Sequence, residues 1–100
     1  MSIDQFLALD HERKTAFVMK YTKATVKPYA DGNRAIFKVC GRICAFVDML
    51  PGGFKVYAGK PSDTYLLRWQ YNADQRGEAL GKCTELCSTT LTRYMAAGLV

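Results

Sequence analysis

Four cysteines stand in two Cys-x3-Cys pairs, Cys40/Cys44 and Cys83/Cys87, and their type and spacing come nearest to a chemical site. Two thiolates four residues apart on a helix share a face, and a second pair would complete a four-sulfur zinc site. The spacing argues against it. Structural zinc uses shorter knuckles in glycine-rich loops, and the 38 residues between these pairs match no such pattern. Free cysteine packs as a small buried apolar residue, so the four are expected in the core, with redox or disulfide roles as the minor reading. His11 is the single histidine and lies in the charged run Asp10-His11-Glu12-Arg13-Lys14, which reads as exposed helix. A general base needs an oriented partner and a nucleophile, and none can be nominated. Gly59-Lys60 fails as a phosphate loop, because Gly53 is one residue too distant and Pro61 stands where the hydroxyl belongs. The aspartates fall mostly in caps and turns. We expect no catalytic residue, no metal and no cofactor, hence a non-enzymatic protein.

The second kind of chemistry in the chain is charge. Between Arg34 and Tyr57 three apolar runs are separated by two glycine turns, with cations inside the runs: Arg34, Lys38, Arg42 and Lys55. Lys60 and Arg68 follow, and Lys27 precedes them. Such a set on one sheet face can track phosphates, each neutralised phosphate steepening the salt dependence by about one unit. The alternative is a solvated sheet edge on which lysine discourages strand addition.

These residues need a frame. Ser2 followed by Gln5 is a capping box, and Ile3, Phe6 and Leu7 follow helical spacing, so helix is expected to about Lys23 with a break or second cap at Asp10. Pro28 makes Thr25 to Tyr29 extended, and Asp31-Gly32-Asn33 is a turn. Strands are expected over Arg34–Val39, Arg42–Leu50, Phe54–Ala58 and Thr64–Tyr71, with a turn at Pro51-Gly52-Gly53 and a loop from Gly59 to Asp63. In the last strand, alternation puts Tyr65, Leu67, Trp69 and Tyr71 on the core side and Arg68 and Gln70 opposite. Ala73 to Ala97 reads as a long helix with Leu80, Cys83, Cys87, Leu91 and Tyr94 as its apolar stripe and Gly98 as its stop. Gly77, Gly81 and Ser88-Thr89-Thr90 are its weak points. The expected fold is α+β: one domain over 1–100, about five antiparallel strands, with an N-terminal and a long C-terminal helix packed on one face.

The hairpin between the second and third strands leaves its faces open. A two-residue Cys40-Gly41 turn groups Ala35, Phe37, Val39, Cys44 and Phe46 against Ile36, Lys38, Ile43, Ala45, Val47 and Met49. A three-residue turn moves Ile43, Ala45 and Val47 beside Phe37 and Val39. If Phe37 and Phe46 lie uncovered they can stack bases or seat a protein. If not, helices, a loop or a second subunit cover both faces.

Composition sets the remaining bounds. A 100-residue chain holds one core and no large internal cavity. Fourteen Lys and Arg against nine Asp and Glu give +5, which suits a polyanion and also suits mere solubility. No run reaches ~18 apolar residues, so no membrane span is expected. The N-terminus has no signal-peptide pattern, so cytoplasmic residence and reduced thiols follow.

The run Pro28-Tyr29, then Ile36-Phe37-Lys38-Val39-Cys40-Gly41-Arg42-Ile43-Cys44-Ala45, resembles the MmcQ/YjbR-like family over about 22 residues. Members of that family show a Pro-aromatic pair and a Phe-Lys-Val-Gly-Gly-Lys hairpin ending in Phe-Ala. Lys38 and Arg42 match its hairpin lysines. The resemblance implies an α/β domain with a curved sheet, likened to the double-wing DNA-binding domain of a phage transcription activator. The family's Asn-Lys-x-x-Trp segment does not follow here.

The sequence therefore leads to one expectation and one alternative. The first is nucleic-acid binding through a basic sheet face carrying Arg34, Lys38, Arg42, Lys55, Lys60 and Arg68. The alternative is a protein-interaction module, such as a phage- or mobile-element-encoded inhibitor of a host protein, using Phe37, Phe46 and Tyr57. A homodimer is a further arrangement that an uncovered sheet allows.

Overall fold

A computed structural model describes residues 1–100. Two short helices, α1 (Ile3–Leu7) and α2 (His11–Lys20), precede five strands: β1 (Thr22–Tyr29), β2 (Gly32–Val39), β3 (Arg42–Leu50), β4 (Gly53–Ala58) and β5 (Leu67–Asn72). Helix α3 (Arg76–Ala96) closes the chain. The strands form one open antiparallel meander in sequence order, and the helices cover one side of it. This is the α+β architecture the sequence predicts. No helix is long and apolar enough to cross a membrane.

The helix ends follow from their capping residues. Ser2 accepts from the Gln5 amide while Gln5 reaches back to the Ser2 amide, a reciprocal pair that starts α1. Asp10 accepts from the Arg13 amide and starts α2, so the expected break there is real. Helix α2 stops at Lys20, three residues before the expected end, because Thr22 already pairs with Val39. The start of α3 moves to Arg76. Its hydroxyl-rich segment holds because Thr84, Thr89, Thr90 and Thr92 each donate to the carbonyl four residues back. At its end Gly98 (φ 73) donates to Met95 and Leu99 to Tyr94, the paired bonds of a Schellman stop.

Helix α3 buries Ala79, Cys83, Cys87, Leu91 and Met95, a stripe of one residue every four. Leu80 was expected in it and is exposed instead. At one end Phe6, Val18, Val39, Cys87, Leu91 and Met95 form a cluster. At the other, Ala79 and Cys83 are small enough to let the helix settle on Ala35, Val47 and Val56. Lys82 caps this end with its ammonium 4.1 Å from the centre of the Trp69 ring. Trp69 and Tyr71 pack against this end of the core, on the side expected for them, but Tyr65 falls in the loop before β5 and is 94% exposed. That strand starts at Leu67, not Thr64. The loop turns on itself, with the Lys60 amide donating to Asp63.

The hairpin of β2 and β3 resolves in a way neither alternative described. Its turn is the two-residue one: Val39 faces Arg42, and Cys40 and Gly41 both have positive φ (52 and 80). The register then slips by one between Phe37 and Lys38, which leaves Cys44 as the extra residue of a β-bulge. The bulge sends Ala45 and Val47 under the helices beside Phe37 and Ala35, and turns Phe46 to the other side, opposite Ile36.

Candidate nucleic-acid interface

The uncovered face is built by cross-strand pairing. In an antiparallel sheet, directly opposed residues point the same way. One row across the sheet reads Lys27–Arg34–Asp48–Lys55–Gln70. The next reads Thr25–Ile36–Phe46–Tyr57–Arg68, and a third begins Lys23–Lys38–Ile43. Six cations, Lys23, Lys27, Arg34, Lys38, Lys55 and Arg68, therefore share these strand rows with one strand carboxylate, Asp48, while Asp63 of the loop after β4 borders the face beside Arg68.

Asp48 is 3% exposed and accepts two bonds from Arg34, from Nε at 2.6 Å and from Nη2 at 3.0 Å. These hydrogen bonds push the Arg34 pKa up from its ordinary value, so the guanidinium stays charged. The same guanidinium lies between two rings, its carbon 3.7 Å from the centre of Tyr29 and 4.7 Å from that of Phe46. Phe46 in turn stacks on Tyr57, centroids 4.5 Å apart and planes 10° from parallel. A ring, a guanidinium and two more rings thus stand in line across β1 to β4. This row fixes Arg34 as a structural cation. The remaining five cations of the face have no ion pair, since the three ion pairs of the molecule are Arg13–Asp10, Arg34–Asp48 and Lys82–Glu85.

The expected site residues divide as follows. Arg34, Lys38, Lys55 and Arg68 come together on the open face. Arg42 does not: it opposes Val39 on the helix side and holds its guanidinium 5.6 Å from the Tyr94 ring of α3. Lys60 is exposed in the loop between β4 and β5, off the strand rows. Of the three aromatic candidates, Phe37 packs under the helices against both core clusters, because the register places it beside Ala45. Phe46 is on the open side but only 3% exposed, enclosed by Arg34 and Tyr57. Tyr57 is half-buried and borders a shallow basin of about 560 Å³ together with Pro61, Asp63, Thr64, Leu66 and Arg68. Lys23 was missed as a candidate because the helix was expected to run through it. Its signal was present in the alternation of Lys23, Thr25, Lys27 and Tyr29.

Charge is segregated between the two layers. Residues 1–21 hold three cations and three carboxylates, and residues 73–100 again three and three. The whole +5 thus belongs to residues 22–72, which carry eight cations and three carboxylates. Focusing of one sign on one face strengthens attraction to a polyanion and quickens its encounter.

No group of three or more His, Cys, Asp or Glu is placed to hold a metal. Among known protein families, curated proteins and solved structures, none matches this chain.

Proposed function

We propose that this protein binds nucleic acid through the open face of its sheet, using Lys23, Lys27, Lys38, Lys55 and Arg68 as phosphate contacts. The observation that carries the reading is the concentration of the entire net charge in the sheet segment, with five unpaired cations on one face whose only strand carboxylate is already neutralised. Recognition on this basis follows the backbone and not the base sequence. The basin beside Tyr57 and Arg68 supplies a place where one unstacked base can sit. The hairpin likeness to the MmcQ/YjbR-like family favours the same reading.

The test is fluorescence anisotropy with random-sequence duplex and single-stranded oligonucleotides across a salt series. Five phosphate contacts give a slope of log affinity on log salt of about −4.5 for duplex and about −3.5 for a single strand. The double variant Lys55→Glu/Arg68→Glu should weaken binding more than about tenfold and flatten the slope by about two units. Arg42→Glu, on the other side of the molecule, should leave affinity nearly unchanged. Absence of binding at low salt, or equal damage from Arg42→Glu, would refute the proposal.

A protein partner is the second reading, and one observation favours it. Tyr65 and Leu67 are 94% and 70% exposed within three residues, an apolar pair able to anchor a partner. Under that reading Tyr65→Ser/Leu67→Ser abolishes partner capture while nucleic-acid titrations stay flat.

A further inference from the structure

On the covered side the Sγ atoms of Cys44 and Cys87 lie 3.5 Å apart, in hydrogen-bonding contact, although 43 positions separate them in sequence. The two-residue turn puts Cys44 on the helix side with Val39 and Arg42, and as the bulged residue of β3 it keeps that side while Ala45 follows it there. All four cysteines are free thiols, and these two need only about 1.5 Å of closure to reach bonding distance. Cys87 is fully buried, whereas Cys44 is half-buried and opens on a cavity of about 290 Å³ between β3 and α3. Leu86, Thr90, Arg93 and Tyr94 also line this cavity, so a small polar oxidant can approach Cys44 and not Cys87.

From this arrangement we infer that Cys44 and Cys87 form an oxidant-reactive dithiol, which a peroxide converts into an intramolecular disulfide joining β3 to α3. The chemistry assigns unequal roles to the two sulfurs. The hydrogen bond from Cys87 lowers the pKa of Cys44, while the same contact and burial raise that of Cys87. Cys44 is thus the thiolate that attacks. Its sulfur takes one peroxide oxygen, the O–O bond breaks, and the departing hydroxide leaves as water after gaining a proton. Cys87 sulfur then attacks the Cys44 sulfenic acid, the S–O bond breaks, and the Cys87 proton departs with the hydroxyl as a second water. Two thiols and one peroxide give one disulfide and two waters. Cys83 faces the same helix stripe, but burial and the nearby Cys44 charge push its pKa up to about 11, which keeps it a thiol. Cys40 stands exposed at the hairpin tip, away from the pair.

The experiment is a titration of the folded, fully reduced protein with hydrogen peroxide at neutral pH. Readouts are free-thiol counting, intact mass under non-reducing conditions and peptide mapping. The expected product is a monomer that has lost two hydrogens, keeps two free thiols, maps to Cys44–Cys87 and returns to the starting mass with a reductant. Its melting temperature should rise by roughly 10 °C or more, because the bond closes a long loop. Cys44→Ser should slow the loss of thiols at least about tenfold, since it removes the attacking thiolate. Cys83→Ser and Cys40→Ser should still form the bond. Mapping on the unsubstituted chain keeps the test decisive even if a Cys87 variant does not fold. The inference is overturned by a bridge to Cys83, by Cys40-linked dimers with Cys44 and Cys87 intact, by overoxidation of Cys44 without a bridge, or by bridging only in denaturant.

Discussion

Replacing Asp48 with Asn probes the centre of the open face. Asp48 is the only strand carboxylate there, and its two oxygens hold Arg34 at 2.6 and 3.0 Å with the Arg34 side chain 14% exposed. The amide of Asn keeps one acceptor and turns a donor toward a guanidinium that has only donors. One charge-assisted bond is lost, and the Arg34 charge is left desolvated between Tyr29 and Phe46. Removing one partner of a buried pair costs about 3–5 kcal/mol. We take about 3 kcal/mol, the low end, because the flanking rings attract the cation and some solvent reaches it. For a domain of this size that corresponds to a fall in melting temperature of about 12–24 °C, read by calorimetry or by circular dichroism. The double variant Arg34→Met/Asp48→Leu removes both charges and should recover most of the loss. If the protein binds nucleic acid as proposed, Asp48→Asn should also bind more tightly at low salt while being less stable, because the face loses a negative charge. A melting shift under about 3 °C, or a double variant no better than the single one, would refute the claim that this pair is buried and mutually dependent.

Four further outcomes follow from the backbone and the thiols. Gly53→Ala should destabilise by more than about 2 kcal/mol in urea unfolding, because φ is +144 and a Cβ would run into the Tyr71 carbonyl. Gly81→Ala, in open space within α3, should stabilise by about 0.5–1 kcal/mol. Cys40→Asn should gain roughly 0.5–1 kcal/mol, since Cys40 holds φ 52 in a turn that favours Asn at that position. Alkaline pH should weaken the fold through Cys83, whose pKa burial raises from 9.0 to about 11. Between those values the unfolded chain has released this proton and the folded one has not, so stability falls as pH rises. The advantage of wild type over Cys83→Ala should shrink by about 2 kcal/mol from pH 8 to pH 11, and a constant difference would contradict it.

Local patterns in the chain were enough to predict the order of elements and most of their ends. A capping box, an N-cap aspartate, a Cys40-Gly41 turn and a stop at Gly98 each act through residues within a few positions of one another, so they are written in neighbouring letters. Cations inside the strands were legible too, and four of the six expected ones, Arg34, Lys38, Lys55 and Arg68, stand on the open face. The faces themselves were not legible. Both sides of β3 carry apolar residues, and a single bulged residue at Cys44 decides which of them meets the helices. Whether that residue is inserted depends on how β2, β3 and α3 pack together, which is a property of three distant segments. The same bulge sends Phe46 into the row with Arg34 and Tyr57, and the packing of α3 on β3 sets Cys44 beside Cys87. Arg34 could be recognised as a cation from the chain alone, but its capture by a carboxylate 14 residues away required the register. Residue types thus determined which charges and thiols the protein owns. Which of them remain free, which are neutralised and which touch was decided by strand pairing, since side-chain direction in a sheet reverses with every one-residue shift.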